Sequence, residues 1–239
     1  MNIFLTLAYL FFIGSLLGWC LELLWRNLML KKDKWINPGF CTGPYLPIYG
    51  FGLCVLYLLA SLENYEWITN PFWNKAVLFL AMAVGMTLIE YVAGLFCLKF
   101  LKVRLWDYSN LWGNVQGIIC PAFSAAWAVL GALYYFLIHP HILEGLEWLS
   151  QNLAFSFFIG VFFGVFAVDV AHSAQLVAKL KHFAEEYTVV LAYEEIKAHI
   201  RRAHLKNAMQ YHFFTPFRTQ YPLTVYLREI LESKRKSKK

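Results

Sequence analysis

Residues 37–52 read NPGFCTGPYLPIYGFG. Three prolines and four glycines stand in these sixteen residues, yet the segment leads directly into the apolar run Ile48–Leu62. Proline at the start of such a run fits the first turn of a helix, where its missing N–H removes no hydrogen bond. The run is short for a bilayer whose hydrocarbon core is ~30 Å thick and takes about 20 helical residues to cross. NPGFCTGPYLP, Asn37–Pro47, is therefore either an ordinary turn before a proline-started helix or a re-entrant collar at membrane depth. In the second case its backbone polar groups must be buried in protein or line a wet cavity. Residues 106–127, WDYSNLWGNVQGIICPAFSAAW, hold the same place later in the chain.

Apolar runs surround these two stretches: Ile3–Leu24, Ile48–Leu62, Ala76–Leu98, Gly117–Ile138 and Leu153–Val177. The first has no basic residue ahead of it and no small-residue cleavage site, and it is too long for a signal-peptide core, so it reads as an uncleaved helix. Its Gly14, Ser15 and Gly18 form a small-residue face that lets another helix approach. After Ala178 the pattern changes. Leu180, Phe183, Tyr187, Val190 and Leu191 repeat at helical steps among charges, which predicts one amphipathic helix over 179–211. Beyond Pro216 and Pro222 come a short helical stretch, 224–232, and a basic end expected to be disordered. The expected fold is all-α: a polytopic membrane bundle of five spans over residues 1–178, with a basic helical tail over 179–239.

Composition agrees. The chain is 59% hydrophobic and 15% charged, far from the roughly 45–50% and about 25% of soluble domains. Nine Trp and fourteen Tyr suit interfacial belts. The five cysteines make no CxxC and no zinc spacing. They read as small buried apolar residues, and neither a metal nor another cofactor is expected. Twenty of the 21 Lys and Arg lie in the first loop, the loop after the third run, or the region from Lys179 onward. The intervening loops carry Glu63, Glu66, Glu144 and Glu147. The positive-inside rule then sets the N-terminus outside and the C-terminus in the cytoplasm. The basic tail suits anionic lipid headgroups, and nucleic acid is not an expected partner.

The first two runs resemble the next two. Each pair carries a glycine then a glutamate (Gly18 and Glu22, Gly85 and Glu90), a basic stretch to a tryptophan (Trp35, Trp106), and a glycine–cysteine–proline entry to an aromatic helix. This reads as a parallel tandem repeat about an axis near the membrane normal, although similar apolar composition would also give a short, gapped match.

Ionisable residues inside a membrane are costly and mark function by default. Glu90 lies deep in the third run with no basic residue beside it, so it must be protonated, pair with another helix or face water. Glu22 is either its counterpart in the repeat or an interfacial carboxylate paired with Arg26 at i+4. If the repeat holds, both carboxylates face one central space. Asp107, Tyr108 and Asn114 would close that space, or form an Asx-type turn. Asn37 and Tyr49 join this candidate polar site, while Gly39, Gly43, Pro44, Pro47, Gly117 and Pro121 form its backbone frame. Asp169 and His172, at i,i+3, are a candidate relay or metal pair, or a local hydrogen bond. His139 and His141 read as polar loop residues. The chain has no GxxxxGK[ST], HExxH or GxSxG motif. The residues leave open a transport component, a membrane-embedded enzyme acting on a lipid or isoprenoid, and a non-catalytic scaffold.

Gly14-Ser15-x-x-Gly18-Trp19-x-x-Glu22, Asn37-Pro38-Gly39-Phe40-x-x-Gly43-Pro44-x-x-Pro47-Ile48-Tyr49-Gly50, and Trp106-Asp107-Tyr108-Ser109 with Cys120-Pro121 resemble a bacterial membrane family, the putative ABC-transporter type IV or CmpB-like proteins. The resemblance covers about residues 3–178. It implies a multi-pass plasma-membrane protein with a permease-type transport role, in company with a separate ATPase subunit or as a homo-oligomer. The long helical extension at the C-terminus is not part of that family core.

Overall fold

The computed structural model describes residues 2–29, 36–65, 70–207 and 209–237. Trp35, one half of the Trp35/Trp106 match, lies outside the described residues, as do Lys31, Lys32, Lys34, Glu66, Lys238 and Lys239.

All five apolar runs form helices. They are α1 (Ile3–Met29), α2 (Pro47–Ser61), α3 (Pro71–Phe96), α4 (Pro121–Leu133) with α5 (His139–Gln151), and α6 (Ser156–Glu186). A π-helical turn, Cys97–Leu101, extends α3, and another, Tyr134–Ile138, joins α4 to α5. Four of these helices are long and apolar enough to cross a bilayer; α2 is shorter, at 15 residues. Pro47 and Pro121 each open their helix, behind the extended residues Leu46 and Cys120. The protein is an all-α membrane helix bundle.

The expectation of one helix over 179–211 needs correction. Helix α6 continues to Glu186, and the chain then breaks at Tyr187–Val190, with Thr188 in the left-handed region (φ 51°). Leu191–Ala192 forms a short strand (β2) paired in parallel with Val103–Arg104 (β1). Two helices follow, α7 (Tyr193–Lys206) and α8 (Leu223–Ser237). The β-branched run Thr188-Val189-Val190 disfavours helix, and a partner strand gives the backbone of Leu191 an acceptor at Lys102 O. The terminal helix also runs past Glu232 to Ser237, where a disordered end was expected.

The chain divides into two compact units. The first holds Met1–Gly18, Tyr45–Leu95 and Asp107–Ala167. In it α1 and α2 pack antiparallel with almost no gap. A Cβ at Gly18 would stand 2.2 Å from the Tyr49 side chain, and one at Gly50 would stand 2.3 Å from Ser15 Oγ. Leu10, Leu56, Met82, Met86 and Tyr134 form its core, and Phe162, Phe163 and Phe166 of α6 pack on Phe11. The second unit holds Trp19–Pro44, Phe96–Trp106 and Val168–Lys239. Its core joins Val103, Leu180, Leu191, Ile196, Ile200 and Leu227.

Candidate functional site

Glu90 sits in α3 of the first unit with 3% of its surface exposed. Its carboxylate accepts from Tyr108 Oη at 3.0 Å and from Trp127 Nε1 at 3.0 Å. Among the described residues no Lys, Arg or His contacts it, so both donors are neutral. Trp127 is positioned because α4 starts at Pro121 and turns its indole inward, against the Tyr49 ring (centroids 5.5 Å apart). Tyr108 is held at both ends. Its ring stacks on Phe123 at 4.2 Å, and its N–H donates to Gly117 O at 2.9 Å. A buried carboxylate with its hydrogen bonds made but no counter-charge can still accept a proton or an entering cation.

Of the expected site residues, Glu90, Tyr108 and Tyr49 thus join one cluster through Trp127, a residue the sequence reading did not single out. Asp107 and Asn114 build the loop instead of lining the carboxylate. Asp107 Oδ1 accepts from Ser109 N (2.9 Å), which makes an Asx turn. Asn114 donates to Ser109 O and Leu111 O and accepts from Gly117 N. Gly117 takes φ 68°, a left-handed conformation that favours glycine.

Glu22 belongs to the second unit, where Arg26 binds it at 3.0 Å and also binds Glu194 of α7 at 2.7 Å. Glu194 in turn pairs with Lys197 at 2.7 Å. Lys197 is only 1% exposed. Its ammonium donates to Asn37 O at 2.6 Å and Gly39 O at 3.1 Å, and it lies over the Tyr193 ring. Burial opposes the charged forms of both partners and holds Lys197 below its ordinary range. For Glu194, Lys197 and Arg26 outweigh burial and hold the carboxyl below its usual value.

The Asn37–Pro44 loop is fixed from three sides. Asn37 accepts from Trp19 Nε1 (2.8 Å) and donates to Thr42 O (2.8 Å) and Cys41 O (3.3 Å). Tyr193 Oη donates to Phe40 O. Asp169 accepts from Thr42 N (3.2 Å), Thr42 Oγ1 and Gly43 N (2.8 Å), and Ser173 supplies a fourth donor. Gly39 takes φ 78°. Buried irregular backbone needs partners for its N–H and C=O groups, and Asp169 and Lys197 supply them here. Asp169 is buried on this loop while His172 is exposed, so the two do not act as a pair. Among the described residues no cluster of three His, Cys, Asp or Glu could hold a metal.

Lys197 and Glu194 were missed because they lie far from the loop in sequence. A signal was there: Tyr193, Ile196, Lys197, Ile200 and His204 follow one helical stripe, and all five are buried. A lysine on the buried stripe needs a carboxylate or carbonyls to receive it.

No curated protein and no solved structure matches the chain. A family model described as "Putative ABC-transporter type IV" matches residues 9–174, which run from within α1 to within α6, include the Asn37–Pro44 loop and Glu90, and end before α7. With most of its length inside that match, the chain belongs to the putative ABC-transporter type IV family.

Proposed function

We propose that this protein is the membrane component of a plasma-membrane transporter, with Glu90 as the carboxylate that receives a translocated cation, an amine or a coupling proton. One observation carries the reading: a carboxylate buried among apolar helices, held by two neutral donors and, among the described residues, by no cation. Such a group favours positive charge and repels a free anion. The chain carries no phosphate-binding loop of its own, so the energy of ATP would enter through a separate subunit. The charge count supports an N-terminus outside and a tail in the cytoplasm, where its basic residues would meet anionic headgroups. Against a lipid-modifying enzyme, the interfacial carboxylates have other work: Glu22 is ion-paired to Arg26 and Asp107 caps its loop.

The test is purification from native membrane in mild detergent, with identification of co-purifying protein. An ATP-binding subunit should come with the chain. Glu90→Gln should keep that subunit bound while ATP-driven uptake in reconstituted vesicles is lost. A fully active Glu90→Gln complex would remove Glu90 from the mechanism.

A further inference from the structure

The loop between the π-turn of α3 and the start of α4 carries a feature that the carboxylate site does not use. Trp112 is 87% exposed, the highest value among the large apolar side chains described, and Leu111 and Val115 beside it are also exposed. Exposure of this size in a loose loop would mean little. This loop is rigidly built. Asn114 ties Ser109 O, Leu111 O and Gly117 N together. Val115 N donates to Ile119 O, Leu111 N to Tyr108 O and Ile118 N to Val115 O, each at 2.9 Å. Gly113, Gln116 and Gly117 all take positive φ. The backbone is fixed into a compact turn whose tip presents an indole outward.

The tip is also placed against a membrane-spanning helix. A Cβ at Gly113 would stand 3.0 Å from Pro121, the first residue of α4. Pro121–Ile138 contains no charged residue and is about 27 Å long at 1.5 Å per residue, close to the ~30 Å hydrocarbon thickness. With Pro121 at one edge of that core, the neighbour of Gly113 would fall in the headgroup layer. An indole is suited to that layer, since its ring is apolar and its N–H still finds a polar partner.

We propose that Trp112 is a lipid anchor, inserted at headgroup depth, which fixes the 107–117 loop to the bilayer surface. Its partner is the membrane itself, continuous with the lipid around α4. The same loop carries Tyr108, which donates to Glu90. Anchoring the tip holds the base of the loop over the buried carboxylate, so the lipid contact supports the position of Tyr108. The inference stands on the loop geometry and holds whether or not Glu90 serves transport.

The experiment uses the full chain in phosphatidylcholine vesicles and compares it with Trp112→Phe. Emission lost in the variant isolates Trp112 from the other tryptophans. Lipids brominated near the headgroup end of the acyl chain should quench that difference several-fold more than lipids brominated at the chain terminus. Iodide on both sides of the vesicle should quench it weakly. Quenching by iodide with no effect of brominated lipid would overturn the proposal, because the indole would then face water. Protection from both quenchers would also overturn it, because protein would then cover the tip. Trp112→Tyr provides the same difference spectrum if the phenylalanine variant inserts poorly.

Discussion

Replacing Asp169 with alanine should open the Asn37–Pro44 loop. The Asp169 carboxylate, 8% exposed, receives donors that include the N–H groups of Thr42 and Gly43 and the hydroxyls of Thr42 and Ser173. Hydrogen bonds to a charged group contribute about 1.5–3 kcal/mol each, and a buried donor left without an acceptor costs about 1–3 kcal/mol. The hydroxyls can turn to other acceptors, but the two backbone N–H groups cannot. We therefore expect a loss of about 3–5 kcal/mol, less than the sum of four bonds. Cys41 reports it directly, being buried inside the same loop. Its rate of maleimide labelling, measured with exposed Cys20 replaced by serine, follows the opening equilibrium. At about 1.4 kcal/mol per tenfold, labelling should accelerate by roughly two orders of magnitude or more. Burial first, and then the Asp169 charge, push the Cys41 thiol up to about 12, so losing the charge alone also raises reactivity. Asp169→Asn removes that charge while keeping one acceptor, and the excess of alanine over asparagine isolates the opening. If the alanine variant labels within about threefold of the parent, the loop does not depend on Asp169 and the reasoning fails.

Other outcomes follow from the same contacts. Lys197→Met should leave Glu194 and the carbonyls of Asn37 and Gly39 without their buried cation, a loss of about 3–5 kcal/mol, read as faster proteolysis at the Tyr187–Ala192 break. Glu194 has a depressed carboxyl in the folded protein, so its contribution is present above the ordinary carboxylate range. That contribution is lost as pH falls through the lowered value. The same proteolysis should accelerate on acidification, and Glu194→Gln should flatten the profile. Gly18→Ala would drive a Cβ into Tyr49 at 2.2 Å and should cost about 1–3 kcal/mol, measured as a lower thermal midpoint in detergent. Gly164→Ala meets no atom within 4 Å and should be neutral or slightly stabilising.

The helices were readable because apolar runs of bilayer length have few alternatives, and Pro47 and Pro121 marked two of the starts. The short α2 was also visible: with only 15 residues, it pointed back to the segment before it. The break at Tyr187–Val190 was not visible. Leu180, Phe183, Tyr187 and Leu191 keep helical spacing, yet Leu191 is buried by pairing with Val103 nearly ninety positions earlier. A periodic pattern cannot reveal a strand partner at that distance, although the β-branched run was a local warning. Glu90 stood out as an unpaired carboxylate in an apolar run. Its donor Trp127 did not, since a tryptophan in such a run ordinarily reads as packing. Asn37 looked like a ligand group and is fully engaged in holding its own loop.

If Glu90 is an exchangeable carboxylate inside an apolar bundle, an apolar carbodiimide should find it there. The experiment treats native membranes with the reagent and follows with mass spectrometry of the purified chain. The reagent partitions into lipid and modifies carboxyls that carry a proton there. An adduct on Glu90, absent from Glu90→Gln and accompanied by loss of transport, is the predicted result. Glu90 left unmodified while Glu63 or Glu147 reacts, with transport unchanged, would contradict it.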